Sequence, residues 1–149
     1  MFSRLLTKDT HHHEYLNIRS AGDESAFGLY IRASMQNSQP YCTEAKHRLY
    51  LCMDHISKFL DKEKLVAIYI DIDGDQNYEF SAFDQMIRDI KFGMFSEIMS
   101  FDLAELFNEP YFKKTIDGLM TLVLNLEYFD LCGNLIQSKS IPLDQLLGV

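Results

Sequence analysis

No stretch of this 149-residue chain is apolar for the roughly 18 consecutive residues that a membrane-spanning helix needs. The first residues, MFSRLLTKDTHHH, also lack the apolar middle and the small-residue cleavage site of a secretory signal peptide. We therefore expect a cytoplasmic protein without a membrane partner. The length suits one hydrophobic core, so we predict a polar N-terminal arm over residues 1–25 and a single domain over residues 26–149.

Basic residues are scarce, with 14 Lys and Arg against 22 Asp and Glu and a formal net charge of -8. Affinity for nucleic acid comes largely from clustered basic side chains, so we expect any DNA binding by this chain alone to be weak. The 11 Phe and 8 Tyr residues are not interleaved with basic residues, as a groove for single-stranded nucleic acid requires. A glycine-rich phosphate-binding motif is absent as well.

Cysteine is also rare, and Cys42, Cys52 and Cys132 do not have the paired spacing of a zinc site. Each lies among apolar residues, which predicts reduced and buried thiols. The histidine run at residues 11–13 offers imidazole groups, but adjacent histidines on a polar arm lack the converging ligands that fix a coordination geometry. The sequence therefore predicts neither a metal site nor a cofactor.

Apolar patterning predicts alternating strands and helices through the middle of the chain. The predicted elements are a strand at residues 27–33, a helix at 43–60, a strand at 65–72, a helix from an N-cap at Ser81 to a stop at Gly93, and a strand at 96–101. This alternation requires right-handed crossovers between parallel strands. We therefore predict an α/β fold with a mostly parallel sheet and helices on both faces.

The segment at residues 121–141 fits two secondary structures. Leu122, Leu124, Leu126 and Tyr128 alternate as in a strand, whereas several neighbouring apolar residues also follow helical spacing. A turn is expected at the sequence LCGN. We favour a strand pair through this turn, which would add a C-terminal hairpin to the domain.

Three segments point to a specific family: YIRAS, then IYIDIDGDQNYEFSAFDQMIRDIKFG, then EIMSFDLAEL. In order and spacing they resemble the catalytic domain of the serine recombinases, which include resolvases, invertases and large serine integrases. The resemblance spans roughly residues 27–106 and implies a resolvase-like fold. It implies that Ser34 is a nucleophile forming a phosphoserine link to DNA and that Arg32 contacts the phosphate. Asp71 and Asp102 match supporting acidic positions.

The chain departs from this family at three phosphate-binding arginines. Phe80 replaces the arginine before the second helix, and Glu105 and Asn108 replace the two arginines after the third strand. A serine that attacks a phosphodiester without a metal needs fixed cations around the transition state. By analogy with single oxyanion-hole donors, each lost group costs ~3 kcal/mol of transition-state stabilisation. The sequence therefore predicts impaired catalysis.

An acidic segment, DIDGDQNYEF, is also similar to the calcium loops of EF-hands and dockerins. Its oxygen ligands would be Asp71, Asp73, Asp75 and Glu79. Counting from Asp71, the sixth position holds Gln76 instead of the turn glycine, and the twelfth holds Ala82 instead of the bidentate glutamate. We interpret the segment as a solvated acidic loop.

These observations favour a serine-recombinase-like domain without strand-transfer activity, with a regulatory or interaction role in DNA recombination or mobile elements. Its expected partners are a second copy of itself or another recombinase-type protein. One alternative is an active recombinase subunit that draws its missing cations from Arg48, Arg88, Lys113 and Lys114. A second alternative is an unrelated α/β binding module.

Overall fold

The computed structural model describes residues 10–34, 42–73 and 80–132. Its five strands are β1 (Thr10–Tyr15), β2 (Phe27–Ser34), β3 (Leu65–Asp73), β4 (Glu97–Ser100) and β5 (Glu127–Asp130). Its four α-helices are α1 (Thr43–Phe59), α2 (Ser81–Lys91), α3 (Leu103–Phe107) and α4 (Pro110–Leu122). The strands form one sheet in the order β1-β3-β2-β4-β5, parallel throughout except for β1. The predicted α/β class and mostly parallel sheet are confirmed.

Each of the predicted elements between β2 and β4 is present, with ends that shift by one or two residues. The largest local difference is at the start of α2, where Ser81 is the first helical residue and not the N-cap. The capping role falls to Asp71 on β3, whose carboxylate accepts hydrogen bonds from the backbone N–H groups of Ala82 and Phe83 at 2.9 and 3.0 Å. Gly93, at a φ of 87°, ends the helix as predicted.

Strand β1 lies within the predicted N-terminal arm, and the sequence analysis did not predict it. It pairs antiparallel with β3, from Thr10 opposite Ile72 to Tyr15 opposite Ala67. Its polar composition is compatible with an edge strand because most of its side chains stay in contact with solvent. A hydroxyl contact also attaches it to the core, since Tyr15 donates a 2.7 Å hydrogen bond to the buried carboxylate of Asp89 on α2.

The contact between Tyr15 and Asp89 predicts sensitivity to alkaline pH. Burial, together with the hydrogen bond and charge of Asp89, raises the pKa of Tyr15 to about 12. The folded-state pKa of Tyr15 lies above the ordinary tyrosine pKa of ~10. The stability that the Tyr15–Asp89 contact contributes is therefore complete below pH ~10 and is lost as the pH rises through 12. We expect Tyr15→Phe to remove one high-pH phenol from an absorbance titration and to reduce stability at neutral pH by about 1 kcal/mol. The exposed Tyr50 provides the control variant, Tyr50→Phe. An unchanged high-pH titration in Tyr15→Phe would contradict the prediction.

Buried apolar side chains form two clusters, and alternate residues of β2 belong to different ones. Leu29 and Ile31 join a cluster with one face of α1, whose members there are Ala45, Leu49, Cys52 and Ile56. Tyr30 joins the other cluster, with Phe83 and Met86 of α2 and Phe112 and Ile116 of α4. The polar ends of β2 and β3 are therefore held between two apolar layers.

The C-terminal part differs from the predicted hairpin. The predicted strand start at Leu122 is instead the end of α4, whose buried Phe112, Ile116 and Leu119 follow helical spacing after a proline at its first turn. Strand β5 begins only at Glu127 and pairs parallel with β4. The predicted second strand of the hairpin lies outside the described residues.

Two of the three cysteines are buried as predicted, Cys42 and Cys52, whereas Cys132, two residues after β5, is exposed. Burial raises the pKa of Cys52 to about 12, which keeps this thiol protonated. Within the described ranges, no helix combines the length and apolar character required to cross a membrane.

Candidate functional site

A polar cleft lies where the carboxyl ends of β2 and β3 meet the segment after β4. The chain leaves β2 towards β3 on one side and later returns to β4 on the other, so the connections diverge at β2. Such a switch point in an open α/β sheet is the usual position of a binding crevice. The cleft encloses about 280 Å³, and its lining includes Arg32, Ser34, Asp73, Glu105, Asn108 and Glu109.

Matching polar patterns on two adjacent strands build the floor of the cleft. Tyr30, Arg32 and Ser34 alternate on β2, and Tyr69, Asp71 and Asp73 alternate on β3. The parallel register sets Arg32 opposite Asp71 and Ser34 opposite Asp73. Because alternate residues of a strand share a face, the two patterns bring a guanidinium group and two carboxylates together.

The Arg32 guanidinium group is surrounded by protein groups. Its Nε and Nη2 atoms donate to both carboxylate oxygens of Asp73, the former at 3.1 Å, and its Nη1 donates to the Tyr30 hydroxyl at 3.1 Å. Its central carbon lies 3.9 Å from the centre of the Phe80 ring. Only 8% of Arg32 is exposed. Paired and stacked in this way, the cation is committed to structural contacts.

Asp71 holds the other side of this network. Its Oδ2 accepts a hydrogen bond from the Tyr30 hydroxyl at 2.8 Å and lies 3.9 Å from Arg32 Nη1, while the same carboxylate caps α2. Burial raises the pKa of Asp71, and these donors offset part of the shift. Burial likewise raises the pKa of Asp73, and Arg32 opposes that effect. Both aspartates therefore accept hydrogen bonds from protein groups: Asp71 from Tyr30 and the start of α2, and Asp73 from Arg32.

Ser34, the predicted nucleophile, is brought to the cleft and is exposed at the end of β2. Its backbone N–H donates to Glu44 Oε1 at 3.1 Å, and its carbonyl accepts a weak hydrogen bond from Cys42 Sγ at 3.6 Å. These backbone contacts fix the strand end against α1. Ser34 is therefore a lining residue of a cleft that also contains Arg32, Asp73 and Glu105.

Glu105, where the resemblance would place an arginine, forms an ion pair with Arg48 of α1. Two parallel hydrogen bonds of 2.8 and 3.1 Å join the guanidinium group to the carboxylate, and Arg48 Nη1 also donates to the Arg32 carbonyl at 2.9 Å. Burial alone lowers the pKa of Arg48, but Glu105 and its acidic neighbours raise it overall. Arg48, one of the cations proposed to replace the missing arginines, therefore lies beside the cleft, but its charge is neutralised by Glu105.

The remaining predicted positions have other roles. Arg88 donates to Gln85, and Lys113 pairs with Asp117 one turn later on α4. Asp102 caps α3 by accepting the backbone N–H of Glu105 at 3.2 Å. Of the described residues that line the cleft, Arg32 is the only basic one.

Sequence reasoning missed Asp73 as the partner of Arg32 and missed Glu109 entirely. A signal for Asp73 was present, because YxRxS and YxDxD have the same spacing on adjacent strands. Glu109 contributes to the raised pKa of Asp73, after the effects of burial, Arg32 and Asp71. Three carboxylates and one guanidinium group therefore line the cleft.

The calcium interpretation can be examined at two of its four ligand positions. Asp71 and Asp73 both belong to β3, and both direct their carboxylates to protein donors. Asp75 and Glu79 lie outside the described residues. Across residues 10–34, 42–73 and 80–132, no group of three or more His, Cys, Asp or Glu side chains is arranged to hold a metal ion.

Comparisons of this chain with protein-family models, with curated proteins and with solved structures found no match.

Proposed function

We propose that this chain is a serine-recombinase-like domain that does not transfer DNA strands and acts through contacts with proteins. The observation that carries the proposal is the state of Arg32, which is bound by Asp73 and Tyr30 and covered by Phe80. A recombinase needs this group for the scissile phosphate. Here a phosphate would have to displace a buried carboxylate to reach it.

The order of elements supports the recombinase-like part of the proposal. A strand that ends in YIRAS, a helix, a strand that ends in acidic residues, a second helix and a third strand follow one another as the resemblance implies. The proposed architecture has α1 on one face of the sheet and α2 on the other, consistent with their separate apolar clusters. Ser34, Glu105 and Asn108 also line one cleft, as matching family positions should.

The charge of the cleft supports the loss of strand transfer. In that reaction the serine oxygen forms a bond to phosphorus while a deoxyribose oxygen leaves, and negative charge accumulates on the equatorial oxygens. Preorganised cations must stabilise this charge. Asp73 and Glu105 instead hold Arg32 and Arg48 in ion pairs, and Glu109 adds a third carboxylate to the lining, in which Arg32 is the single basic group among the described residues.

The proposal predicts no covalent attachment to DNA. We expect the protein, incubated with supercoiled plasmid and denatured, to yield no protein–DNA adduct, and we expect little retention on DNA even at low salt. Ser34→Ala provides the matched control, because it removes only the nucleophilic oxygen. An adduct that forms with the unmodified protein and disappears in Ser34→Ala would refute the loss of activity.

The interaction role requires a separate measurement. The immobilised protein should retain either a second copy of itself or the catalytic domain of a serine recombinase, at a salt concentration that abolishes DNA retention. Failure to bind either partner at high micromolar concentration would refute the interaction role, whatever the DNA experiment shows.

A further inference from the structure

Two of the three cysteines lie along helix α1, in different surroundings. Cys42 is the N-cap residue, where its Sγ accepts a hydrogen bond from the backbone N–H of Ala45 at 3.4 Å. Cys52 lies on the buried face of the helix and belongs to the apolar cluster between α1 and the sheet. The helical rise between the two residues separates their backbones by about 15 Å, too far for a disulfide bond. A disulfide partner for Cys52 therefore has to come from another element.

Cys132, after β5, is connected to the neighbourhood of Cys52 through Phe101. The backbone N–H of Cys132 donates to the Phe101 carbonyl at 2.9 Å. The guanidinium group of Arg48 stacks on the Phe101 ring, with its central carbon 4.8 Å from the ring centre. Arg48 precedes Cys52 by one turn of α1, so the two share a side of the helix. The Phe101 ring also packs against the cluster that contains Cys52.

The chain turns at the end of β5, which frees Cys132 from strand alternation. Leu131 and Cys132 are consecutive, yet both donate backbone N–H groups to the neighbouring chain, at 3.1 Å to Ser100 and 2.9 Å to Phe101. In a regular strand, successive residues point to opposite sides. Leu131 packs against the cluster on the α1 side. The turn therefore does not require Cys132 to point away from that side.

The electrostatics of the two thiols also indicate that they are close. Burial raises the pKa of Cys52, and the charge of the Cys132 thiolate is the second cause of the increase. Burial, Asp102 and Asp130 raise the pKa of Cys132, and Arg48 lowers it. Asp130 and Arg48 act in the same directions on Cys52. Because such effects weaken with distance, the two thiols share one environment.

We propose that Cys52 and Cys132 form a reversible disulfide bond, joining α1 to the end of β5, when the protein meets a low-molecular-weight disulfide. This inference goes beyond the proposed function and does not rest on it, because it uses only the two thiols and the elements that hold them. Cys132 is exposed and reacts with the oxidant, whereas Cys52 is buried and resolves the intermediate.

The reaction consists of two successive thiol–disulfide exchanges. The thiolate of Cys132 attacks one sulfur of oxidised glutathione, which breaks that disulfide and releases one glutathione. The thiolate of Cys52 then attacks the Cys132 sulfur of the mixed disulfide and releases the second glutathione. Two protein thiols are oxidised, one external disulfide is reduced, and the thiol protons pass to the released glutathione. The Cys52 pKa of about 12 makes the second exchange the slower one.

The bond has a structural consequence beside the cleft. It closes a loop of roughly 80 residues, which lowers the conformational entropy of the unfolded chain. It also fixes α1 to the end of β5 one turn from Arg48, whose partner Glu105 lines the cleft. The redox state of the two thiols therefore determines how firmly this side of the cleft is held.

Oxidation of the full chain with glutathione disulfide tests the proposal. The intact mass should fall by two hydrogen atoms, with no glutathione attached, and proteolysis without reductant should yield peptides joined through Cys52 and Cys132. The oxidised protein should unfold at a temperature about 5–15 °C higher than the reduced protein. Dithiothreitol should reverse both changes. Cys42→Ser provides the matched control, because it leaves both partners in place and keeps a good N-cap residue, and it should form the same bond.

Variants of the two partners separate the steps. Cys132→Ser should abolish both the mass loss and the thermal shift. Cys52→Ala should instead accumulate glutathione on Cys132, because the second exchange cannot occur. Far-ultraviolet circular dichroism verifies the fold of each variant. The proposal is overturned if the wild-type protein keeps glutathione on Cys132, forms a disulfide-linked dimer or does not react. A Cys52–Cys132 bond that lowers the unfolding temperature would also overturn it, because that bond would require a distorted fold.

Discussion

Replacing Arg32 with alanine should lower the free energy of unfolding by about 3–5 kcal/mol, the usual effect of removing one partner from a buried ion pair. The variant leaves the carboxylate of Asp73 without its two guanidinium hydrogen bonds and removes the positive charge beside Asp71. It also removes the cation stacked on Phe80. Chemical denaturation at neutral pH, followed by circular dichroism, measures the effect.

The pH dependence of that loss identifies its cause. Burial already raises the pKa of Asp71 and Asp73, and without Arg32 both should rise further. A buried carboxyl group with a raised folded-state pKa destabilises the fold only when it is ionised. This loss of stability is absent below the ordinary carboxyl pKa of ~4 and grows as the pH rises towards and through the raised pKa. We therefore expect the stability difference between the wild-type protein and Arg32→Ala to be smallest in acid and largest at neutral pH.

Two variants separate this explanation from a general loss of charge. Lys64→Ala breaks a solvent-exposed ion pair with Asp23 and should change stability far less than Arg32→Ala does. The double variant Arg32→Met with Asp73→Leu removes both charges and should recover most of the stability. Equal stability of Arg32→Ala and the wild-type protein at neutral pH would show that the buried pair contributes little.

Gly28→Ala is the second substitution with a large expected effect. A β-carbon at Gly28 would lie 2.4 Å from Cζ and 2.5 Å from Cε2 of Phe95, whose ring is buried. Gly28 is also paired on both sides, with Ala67 of β3 and Ile98 of β4, so the backbone has little freedom to move away. We expect a loss of about 2–3 kcal/mol, typical of overpacking in a dense core.

Thermal unfolding of two further variants tests the steric explanation. Gly118→Ala places a β-carbon in open space on α4, where alanine is the better helix former, and should stabilise the protein by up to about 1 kcal/mol. Adding Phe95→Leu to Gly28→Ala frees space beside the new methyl group, so the double variant should lose less than the sum of the two single variants. Additive losses would contradict a direct contact between these residues.

Predictions from the sequence were most successful where local patterns are strong. Continuous apolar runs predicted β2 and β3, and helical spacing predicted α1, with ends within one residue of those observed. Strand β1 was missed because the edge of a sheet tolerates polar side chains, which leaves no apolar pattern to detect. The first strand of the predicted hairpin is present only over Glu127–Asp130, because Leu122 lies at the end of a helix that begins at Pro110.

The predicted site residues were partly brought together. Arg32, Ser34, Glu105 and Asn108 line one cleft, which their spacing along the chain had suggested only through a family resemblance. Asp71 lies behind the cleft as a helix cap, and Asp102 caps α3. Asp73 was missed as the partner of Arg32 because it is 41 residues away and the contact depends on the strand register, although the matching YxRxS and YxDxD spacing carried a signal for it.

The sequence by itself determined the fold class and the position of polar residues at the ends of two buried strands. Both follow from the pattern of apolar residues within single segments. Only the tertiary structure decided which charges meet. The parallel register sets Arg32 opposite Asp71 and brings it within hydrogen-bonding reach of Asp73. The approach of α1 to α3 pairs Arg48 with Glu105 across 57 residues of sequence. The alternation of side chains along a strand is the same in every register, so it carries no information on these long-range ion pairs. The ion pairs determine whether the arginines at the cleft are available to a ligand or neutralised by carboxylates.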